Sequence, residues 1–337
     1  MPSSDPVPAP QGMRQVWLRF LAFCLPLALG WAGLEWGLAR IPNSFSVKRE
    51  GLRALSNEVD TVILGSSEAF FGISPHGLSG TAFNLSNSAQ TPYYDYEIMK
   101  RVLPELPRLR RVIIQFDYVS LYAELYDHTD NWRQYGYYQE WHIPLQRPID
   151  YWDVRLFSRV GLYKTLSALL EFGKGSRMNF APCVDDRGWC QAAEDWSSPG
   201  LGADDARRML DGQQYNMHDE YLPANAAILE RLIAMLRGHG IEVAIVIMPV
   251  YPSYQTEMHN AKWVRAQGIV EGLAHKYGAR YLNFEHEPRL AEKDFNDVNH
   301  LSAHGAHYFS EILDAALGPP RVEKVRSAPE LSGSSGG

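Results

Sequence analysis

Two short segments near opposite ends of the chain carry residues that could perform nucleophilic catalysis. The first is Leu64-Gly65-Ser66-Ser67-Glu68, where an apolar run ends at a glycine followed by two serines. A glycine lets the chain turn sharply and present a serine hydroxyl, together with backbone N–H groups, at the start of a helix. This segment alone is weak evidence, because Gly-Ser-Ser is also an ordinary turn or helix cap.

The second segment is Asp297-Val-Asn-His300, in a predicted loop before the last predicted helix. A hydroxyl nucleophile needs a base, and the base needs a carboxylate that fixes its tautomer and stabilises the imidazolium. Asp297 and His300 can supply both groups, although a surface loop with a helix cap at Ser302 is the alternative. Together the two segments favour Ser67 as nucleophile, His300 as base and Asp297 as the carboxylate that orients it.

Strands and helices alternate from Val59 onwards and would position these residues. The apolar runs predict five short strands, over residues 60–64, 82–85, 111–116, 242–248 and 280–283. The amphipathic patterns predict a helix after Pro92 and further helices over residues 224–236, 260–276 and 303–316. This alternation predicts an α/β fold, a three-layer α/β/α sandwich around a parallel sheet. Such sheets bind ligands at the carboxyl ends of their strands, which is where Ser67 would lie.

The strand-terminal serine and the Asp-x-x-His before the final helix resemble the outer motifs of the SGNH (GDSL-type) hydrolases. The resemblance implies the SGNH hydrolase-like fold, with Ser67 as nucleophile, Asp297 as orienting residue and His300 as base. Ser66 replaces the aspartate of the usual Gly-Asp-Ser motif, and that aspartate is not a triad member.

The inner motifs of that family are only partly present. Its second block resembles Asn-x-Gly-x-x-Gly and supplies a backbone N–H to the oxyanion hole; here Ser86 and Ala89 stand at the two glycine positions after Asn84. The resemblance implies an oxyanion contribution from Ser86, Asn87 or Ala89. The third block usually brings an asparagine after a strand, whereas this strand ends Gln115-Phe116-Asp117.

The sequence Gly-Ser-Ser-Glu and an apolar N-terminal segment resemble a narrower group, the membrane-anchored SGNH-like proteins of extracytoplasmic polymer acylation. That group includes the DltD-type proteins and the proteins that acetylate exopolysaccharides such as alginate. The resemblance implies O-acetyl transfer to a polysaccharide acceptor through an acyl-Ser67 intermediate, with a membrane-bound O-acyltransferase as partner and no cofactor. The alternatives are a non-catalytic scaffold that links the acyltransferase to its glycan, and a carbohydrate esterase.

The N-terminus predicts a membrane anchor. Residues 1–15 are interpreted as a flexible lead and residues 16–39 as a transmembrane segment, with an uncharged core of fifteen residues from Phe20 to Leu34. A buried globular helix and a cleaved signal peptide are the alternatives. Two basic residues precede the uncharged core and four follow it closely, so charge counting alone would place the large domain in the cytoplasm, although long domains translocate largely regardless of flanking charge. The family resemblance instead implies a single-pass protein of the inner (cytoplasmic) membrane with its catalytic domain outside.

Residues 118–222 interrupt the strand–helix alternation and are interpreted as an aromatic-rich insertion in a catalytic domain of residues 59–117 and 223–317. Residues 318–337 are interpreted as a disordered tail. Within the insertion, the aromatic side chains either form a platform for sugar rings, or form the core of a small subdomain or a surface for a membrane partner. The residues expected to contact a sugar are Trp132, Tyr137, Tyr138 and Trp141.

The remaining composition excludes some classes of protein. The formal net charge is −7 and no lysine-rich run occurs, so nucleic acid is not expected as a partner. Cys183 and Cys190 either close a polar loop by a disulfide or are free thiols. His300, His304 and His307 have spacings compatible with zinc on one helical face, but His300 precedes the predicted cap at Ser302 and no metal is expected.

Overall fold

The structure, a computed structural model, describes residues 11–38, 42–157, 183–191, 200–258 and 260–320. These residues belong to two units: residues 11–38, 42 and 151–157 form one, and the other described residues form the second. The predictions of a flexible start and of a disordered tail concern residues that lie mostly outside the described ranges.

The first unit contains α1 (Gln11–Leu38) and a 3-10 helix (Val154–Phe157). By length and composition the segment Gly12–Gly37 could cross a membrane, with a mean hydropathy of 1.6, although a signal sequence near the N-terminus has the same properties. The helix begins at Gln11 rather than at residue 16, and Pro26, which has no backbone N–H, lies inside it.

The second unit is built on a five-stranded sheet in which all strand pairs are parallel and the order is β2-β1-β3-β4-β5. The strands are β1 (Thr61–Leu64), β2 (Ala82–Asn84), β3 (Arg111–Phe116), β4 (Glu242–Ile247) and β5 (Arg280–Asn283). All five predicted strands are therefore confirmed within one or two residues. The central strands β1, β3 and β4 are buried along their whole length, as their continuous apolar runs require.

Helices cover both faces of this sheet. They are α2 (Ser44–Ala54), α3 (Ser67–Gly72), α4 (Pro92–Val102), α5 (Arg133–Trp141), α6 (Ala203–Tyr215), α7 (Leu222–Gly238), α8 (Pro252–Met258), α9 (Ala261–Tyr277) and α10 (Ala303–Leu317). Short 3-10 helices lie at Pro75–Gly77, Leu103–Glu105, Leu125–Asp127, Pro148–Trp152, Asp219–Tyr221 and Glu292–Asp294.

The two faces of the sheet form separate cores. Val62 and Leu64 point to the side that packs against α4, α7 and α9, whereas Ile63 points to the side of α3 and α10. Adjacent strands repeat this alternation, because successive side chains of a strand point to opposite faces. The predicted three-layer α/β/α sandwich is confirmed.

The described part of residues 118–222 shares this core. Tyr122, Leu125, Tyr137 and Leu210 belong to the same buried cluster as Val62 on β1. These residues therefore complete the face of the sheet that α4, α7 and α9 cover, and the aromatic content of the segment is in large part core.

Candidate active site

The end of β1 forms a constrained turn that presents Ser67. Gly65 has φ +129°, and a Cβ at this position would lie 2.5 Å from Oε1 of Gln115. The same Gln115 oxygen accepts the N–H of Ser66 at 2.7 Å. Glycine is therefore required here both by backbone conformation and by the close approach of β3. Ser67 is the first residue of α3.

Three predicted residues converge at this turn. Oγ of Ser67 lies 2.8 Å from Nε2 of His300, and Nδ1 of His300 lies 2.9 Å and 3.0 Å from the two carboxylate oxygens of Asp297. Ser67 and His300 are 233 positions apart in the sequence, and the fold brings them within hydrogen-bonding distance. This is the arrangement of a nucleophile, a base and an orienting carboxylate.

The surroundings of Asp297 keep its carboxylate charged. Burial by itself raises the pKa of Asp297, but hydrogen bonds from the His300 ring and from the N–H groups of Asn299 and His300 outweigh burial and hold the pKa below its ordinary value. A charged Asp297 on Nδ1 favours the tautomer with its proton on that nitrogen. Nε2 is then free to accept the proton of Ser67.

Glu68 is a second buried carboxyl group at the site, and its pKa is shifted in the opposite direction from that of Asp297. Its oxygens accept from Asn299 Nδ2 at 3.2 Å and from Gln115 Nε2 at 3.0 Å. Burial, followed by the nearby charge of Asp117, raises the pKa of Glu68 well above its ordinary value in spite of these bonds. The raised pKa favours the neutral acid, and Glu68 connects the Ser67 turn, β3 and the loop that carries His300.

Asp95 on α4 supports the same turn from behind. Its Oδ1 accepts the N–H of Gly65 at 3.2 Å and Nε2 of Gln90 at 2.6 Å. Burial raises the pKa of Asp95 to about 7, against the lowering effect of both hydrogen bonds. The folded protein thus retains a proton at Asp95 that the unfolded chain loses near pH 4.

This raised pKa predicts a pH dependence of stability. Between about pH 4 and 7 the folded state binds the proton more strongly, so the free energy of unfolding falls as pH rises, by about 1.4 kcal/mol per pH unit for this one group. Asp95→Asn keeps the Oδ1 acceptor and has no proton to lose, so we expect a shallower fall. Urea unfolding of both proteins in detergent at pH 4.5, 5.5 and 6.5 measures the difference, and equal slopes would contradict it.

Of the three residues expected at the oxyanion hole, the structure places one in a suitable position. Ala89 has φ +55°, the left-handed conformation that glycine usually provides, and it lines the cavity beside Ser67. Ser86 is fully buried, with its N–H donating to Oδ1 of Asn84 at 3.0 Å, and Asn87 donates its N–H to the carbonyl of Gly65 at 3.3 Å. The expectation is therefore corrected for Ser86 and Asn87, because both N–H groups already have protein acceptors.

The position of the missing asparagine is held by a carboxylate. Oδ1 of Asp117 accepts the N–H groups of Val119 and Ser120, at 2.9 Å and 2.8 Å, and its Oδ2 accepts Gln115 Nε2 at 3.1 Å and the hydroxyl of Ser66. A carboxylate with these donors cannot itself donate to an oxyanion. Asp117 instead braces the turn before Ser67.

A cavity of about 650 Å³ opens beside Ser67. Its apolar lining includes Phe71, Ala89, Val119, Ala123 and Val298, of which Phe71 and Val298 lie on the segments that carry Ser67 and His300. Phe71 also packs edge-on against the His300 ring, at 5.7 Å between centroids. A cavity of this size is typical of a small-molecule site rather than of a packing defect.

Residues 118–222 contribute half of the lining residues, but the aromatic residues expected there are not among them. One face of α6 and its C-cap contribute Asp205, Arg208, Met209, Gly212, Gln213 and Asn216, and the segment that leads into α5 contributes His128, Asp130 and Arg133. Sequence reasoning missed these residues. The spacings of three and four along α6 are a helical face, and they were the signal that could have identified it.

The expected sugar platform is corrected for two of its four residues. Tyr137 has 1% of its surface exposed, stacks on Tyr94 at 4.1 Å and donates its hydroxyl to Gln90 at 2.7 Å. Trp141 is also buried. Both rings are core, so neither offers a face to a sugar. Trp132 and Tyr138 are half-buried and lie outside the cavity lining.

Cys183 and Cys190 form a disulfide. The loop that they close packs behind the nucleophile helix: Cys190 donates its N–H to the carbonyl of Phe70 at 3.3 Å, and the indole of Trp189 donates to the carbonyl of Phe71 at 2.9 Å. The disulfide therefore supports α3 from the side opposite the cavity.

The three C-terminal histidines have separate partners. His300 contacts Ser67 and Asp297, whereas Nδ1 of His304 lies 2.6 Å from Asp294 and His307 packs against Trp189 at 4.9 Å. This arrangement differs from the shared helical face that a zinc site would need, because His300 precedes the cap of α10 at Ser302.

Comparison with known proteins does not assign the chain to a family. No protein-family model matches it, and no curated protein matches it. Among solved structures, it is similar to one of a protein proposed to be a platelet activating factor from Streptococcus pneumonia, with 12% identity over 88% of this chain and 99% of that chain. The TM-score is 0.37, so the function is argued from the site itself.

Proposed function

We propose that this protein is a membrane-anchored serine acyltransferase that forms an acyl-Ser67 intermediate and passes the acyl group to a polysaccharide hydroxyl outside the cytoplasmic membrane. The observation that carries the proposal is the hydrogen-bonded series Ser67–His300–Asp297 beside an open cavity. A buried His–Asp pair aligned on a serine hydroxyl is costly to maintain without a use for the proton that it can take.

The first half-reaction follows from this geometry. Nε2 of His300 takes the Ser67 proton as Oγ attacks the ester carbonyl, and Asp297 stabilises the imidazolium. The Ala89 N–H, in its left-handed loop, is the donor that best fits the developing oxyanion. His300 then protonates the leaving alcohol as its bond to the acyl carbon breaks, which leaves the acyl group on Ser67.

The second half-reaction runs the same steps in reverse with a new alcohol. His300 takes the proton of an acceptor hydroxyl, that oxygen attacks the acyl-Ser67 carbonyl, and the proton returns to Oγ as the ester to Ser67 breaks. With a sugar hydroxyl as acceptor the protein is an O-acyltransferase, and with water it is a carbohydrate esterase. The acetyl group is the proposed acyl group.

The raised pKa of Glu68 suits this chemistry, because it favours the neutral acid. A charged Glu68 would add a third carboxylate, next to Asp117 and Asp297, where negative charge develops on the substrate. Repulsion in a buried site would then oppose the transition state. Protonated, Glu68 keeps its hydrogen bonds to Asn299 and Gln115 without that penalty.

Two observations support the proposed location. Helix α1 is long and apolar enough to serve as the anchor, and the Cys183–Cys190 disulfide is typical of proteins in an oxidising compartment. In this proposal a membrane-bound O-acyltransferase supplies the acyl group from across the bilayer, and a polysaccharide receives it.

One observation favours a second candidate, a non-catalytic scaffold between the acyltransferase and its glycan. Asp117 stands where an oxyanion donor would be expected, and each such donor is worth about 10²–10³ in rate. The aligned triad outweighs this observation, because a scaffold has no need for a hydrogen bond between Ser67 and His300.

Intact-mass spectrometry after exposure to 4-nitrophenyl acetate tests the proposal. We expect one acetyl group on the wild-type protein, mapped to Ser67 by peptide analysis, and none on Ser67→Ala. Ser79→Ala, which removes an exposed hydroxyl outside the cavity lining, is the control and should acetylate normally. Acetylation of Ser67→Ala at the wild-type rate, or a wild-type protein that neither carries an adduct nor releases 4-nitrophenol faster than Ser67→Ala, would reject the enzymatic proposal in favour of the scaffold.

A further inference from the structure

Gly212 is a helix-interior glycine that the fold itself does not explain. It lies in α6, faces the cavity, and has open space where a Cβ would stand, with no atom within 4 Å. By contrast, a Cβ on Gly136 of α5 would lie 2.4 Å from the ring of Phe45, so packing requires glycine there. A glycine inside a helix costs about 1 kcal/mol relative to alanine.

The helix face around Gly212 is polar and held in place. Asp205, Arg208, Gln213 and Asn216 share this face of the cavity, with Asp205 paired to Arg208. Asn216 donates to the carbonyl of Gly212 at 3.1 Å and accepts the N–H of Thr129 at 3.0 Å. These bonds fix α6 to the segment that carries His128 and Asp130, so the wall is preorganised for a ligand.

The cavity is much larger than an acetyl group requires. An acetyl group fills roughly 60 Å³, about the volume of two water molecules, whereas the cavity measures about 650 Å³. Phe71, Ala89, Val119, Ala123 and Val298 provide apolar lining, whereas α6 and its C-cap offer carboxylate, guanidinium and amide groups beside the apolar Met209. Such a wall suits a ring with several hydroxyl groups better than a long acyl chain, because it can exchange hydrogen bonds with them.

We infer that the polar face of α6 is the subsite for the sugar that receives the acyl group, and that Gly212 determines specificity by letting a sugar ring lie directly against the helix backbone. The inference rests on the proposed acyl-transfer function and names its acceptor class, a sugar unit, whose acetylated form is the ester that the reverse reaction or an esterase would cleave. A side chain at position 212 would occupy the space of the ring.

Binding to a catalytically inactive protein tests the subsite alone. On the Ser67→Ala background, full-length protein in detergent is titrated calorimetrically with cellobiose, mannobiose and lactose that each carry a single acetyl group and keep their other hydroxyl groups. We expect at least one sugar to bind, and Gly212→Leu to weaken that binding at least tenfold. Gly268→Leu is the matched control, since Gly268 is another exposed glycine inside a helix with open space around it but lies outside the cavity lining.

Turnover on the Ser67 background gives a second readout. The measured quantity is kcat/KM for the acetylated disaccharide that binds, divided by kcat/KM for 4-nitrophenyl acetate. Gly212→Leu is expected to lower this ratio at least tenfold, and Gly212→Ala should give a ratio between those of wild type and Gly212→Leu. Gly268→Leu should stay within twofold of wild type. Leucine and alanine favour helix more than glycine, so the variants should fold, as the melting temperature will verify.

The two proposals fail separately. Absence of binding by all three sugars, or equal binding by the Gly212→Leu and Gly268→Leu proteins, would overturn the sugar subsite even if Ser67 is acetylated by 4-nitrophenyl acetate. Sugar binding that depends on position 212, without any acetylation of Ser67, would retain the subsite and reject the enzyme.

Discussion

His300→Ala is expected to slow the acetylation of Ser67 by 4-nitrophenyl acetate by about 10⁴-fold or more. The substitution removes the only side chain hydrogen-bonded to Oγ of Ser67 in the described part of the chain, so the hydroxyl must attack with its proton still attached. Stopped-flow release of 4-nitrophenol, with the adduct quantified by intact mass, measures the rate.

Asp297→Asn is expected to be the milder change. The amide can accept the N–H groups that Asp297 now accepts, so the loop is retained, but it has no charge to stabilise the imidazolium. We expect a loss about tenfold to a hundredfold smaller than for His300→Ala.

A second histidine–carboxylate pair provides the control. His304 lies 2.6 Å from Asp294, on the first turn of α10 and outside the cavity lining. Ser67 of the His304→Ala protein should therefore be acetylated at close to the wild-type rate. An equal loss in His304→Ala and His300→Ala would indicate damage to the fold rather than removal of a base.

Removal of residues 1–38 is expected to transfer the protein completely from the membrane fraction to the soluble fraction. Burying a stretch as apolar as Gly12–Gly37 contributes far more than the few kcal/mol that a single peripheral contact could supply. Carbonate extraction of membranes followed by quantitative immunoblotting measures the distribution. Retention of the shortened protein in the membrane would identify another attachment.

Paired cysteine labelling decides the orientation of the same helix. On a Cys24→Ser background, Glu58→Cys places a thiol at an exposed position after the anchor, and Ser3→Cys places one before it. With a membrane-impermeant maleimide, intact spheroplasts should label position 58, and position 3 only after lysis. Labelling of position 3 alone would invert the proposed topology, and labelling of both would exclude a membrane span.

Some elements of this protein depend on neighbouring residues in the sequence, and others depend on contacts that form only in the fold. Strands β1, β3 and β4 could be located because continuous apolar runs are needed wherever a strand is covered on both faces, and that requirement is local. The spacing of their apolar residues also predicted helices α7, α9 and α10. In contrast, α2 was not predicted: it is capped by Asn43, and its Lys48 is buried with Nζ donating to the carbonyl of Asn84 at 3.0 Å. A lysine in a sequence is expected to be exposed to solvent, and the carbonyl groups that accept hydrogen bonds from a buried lysine are known only from the fold.

Within the site, the triad could be predicted from local sequence, whereas the rest of the site could not. Ser67, Asp297 and His300 could be proposed from spacing, since each depends on the residues beside it in a turn or loop. The role of the aromatic residues could not be predicted, because a buried core tyrosine such as Tyr137 and a tyrosine on a sugar platform have the same sequence signature.

The sequence by itself determined the sheet, the helices that cover it, and the two segments that carry the nucleophile and its base. Only the tertiary structure decided that Ala89 rather than Ser86 lines the cavity, that burial raises the pKa of Glu68, and that a face of α6 contributes to the lining. The physical reason is that strand burial and turn formation depend on neighbouring residues, whereas a cavity and the pKa of a buried acid depend on segments that meet only when the chain has folded.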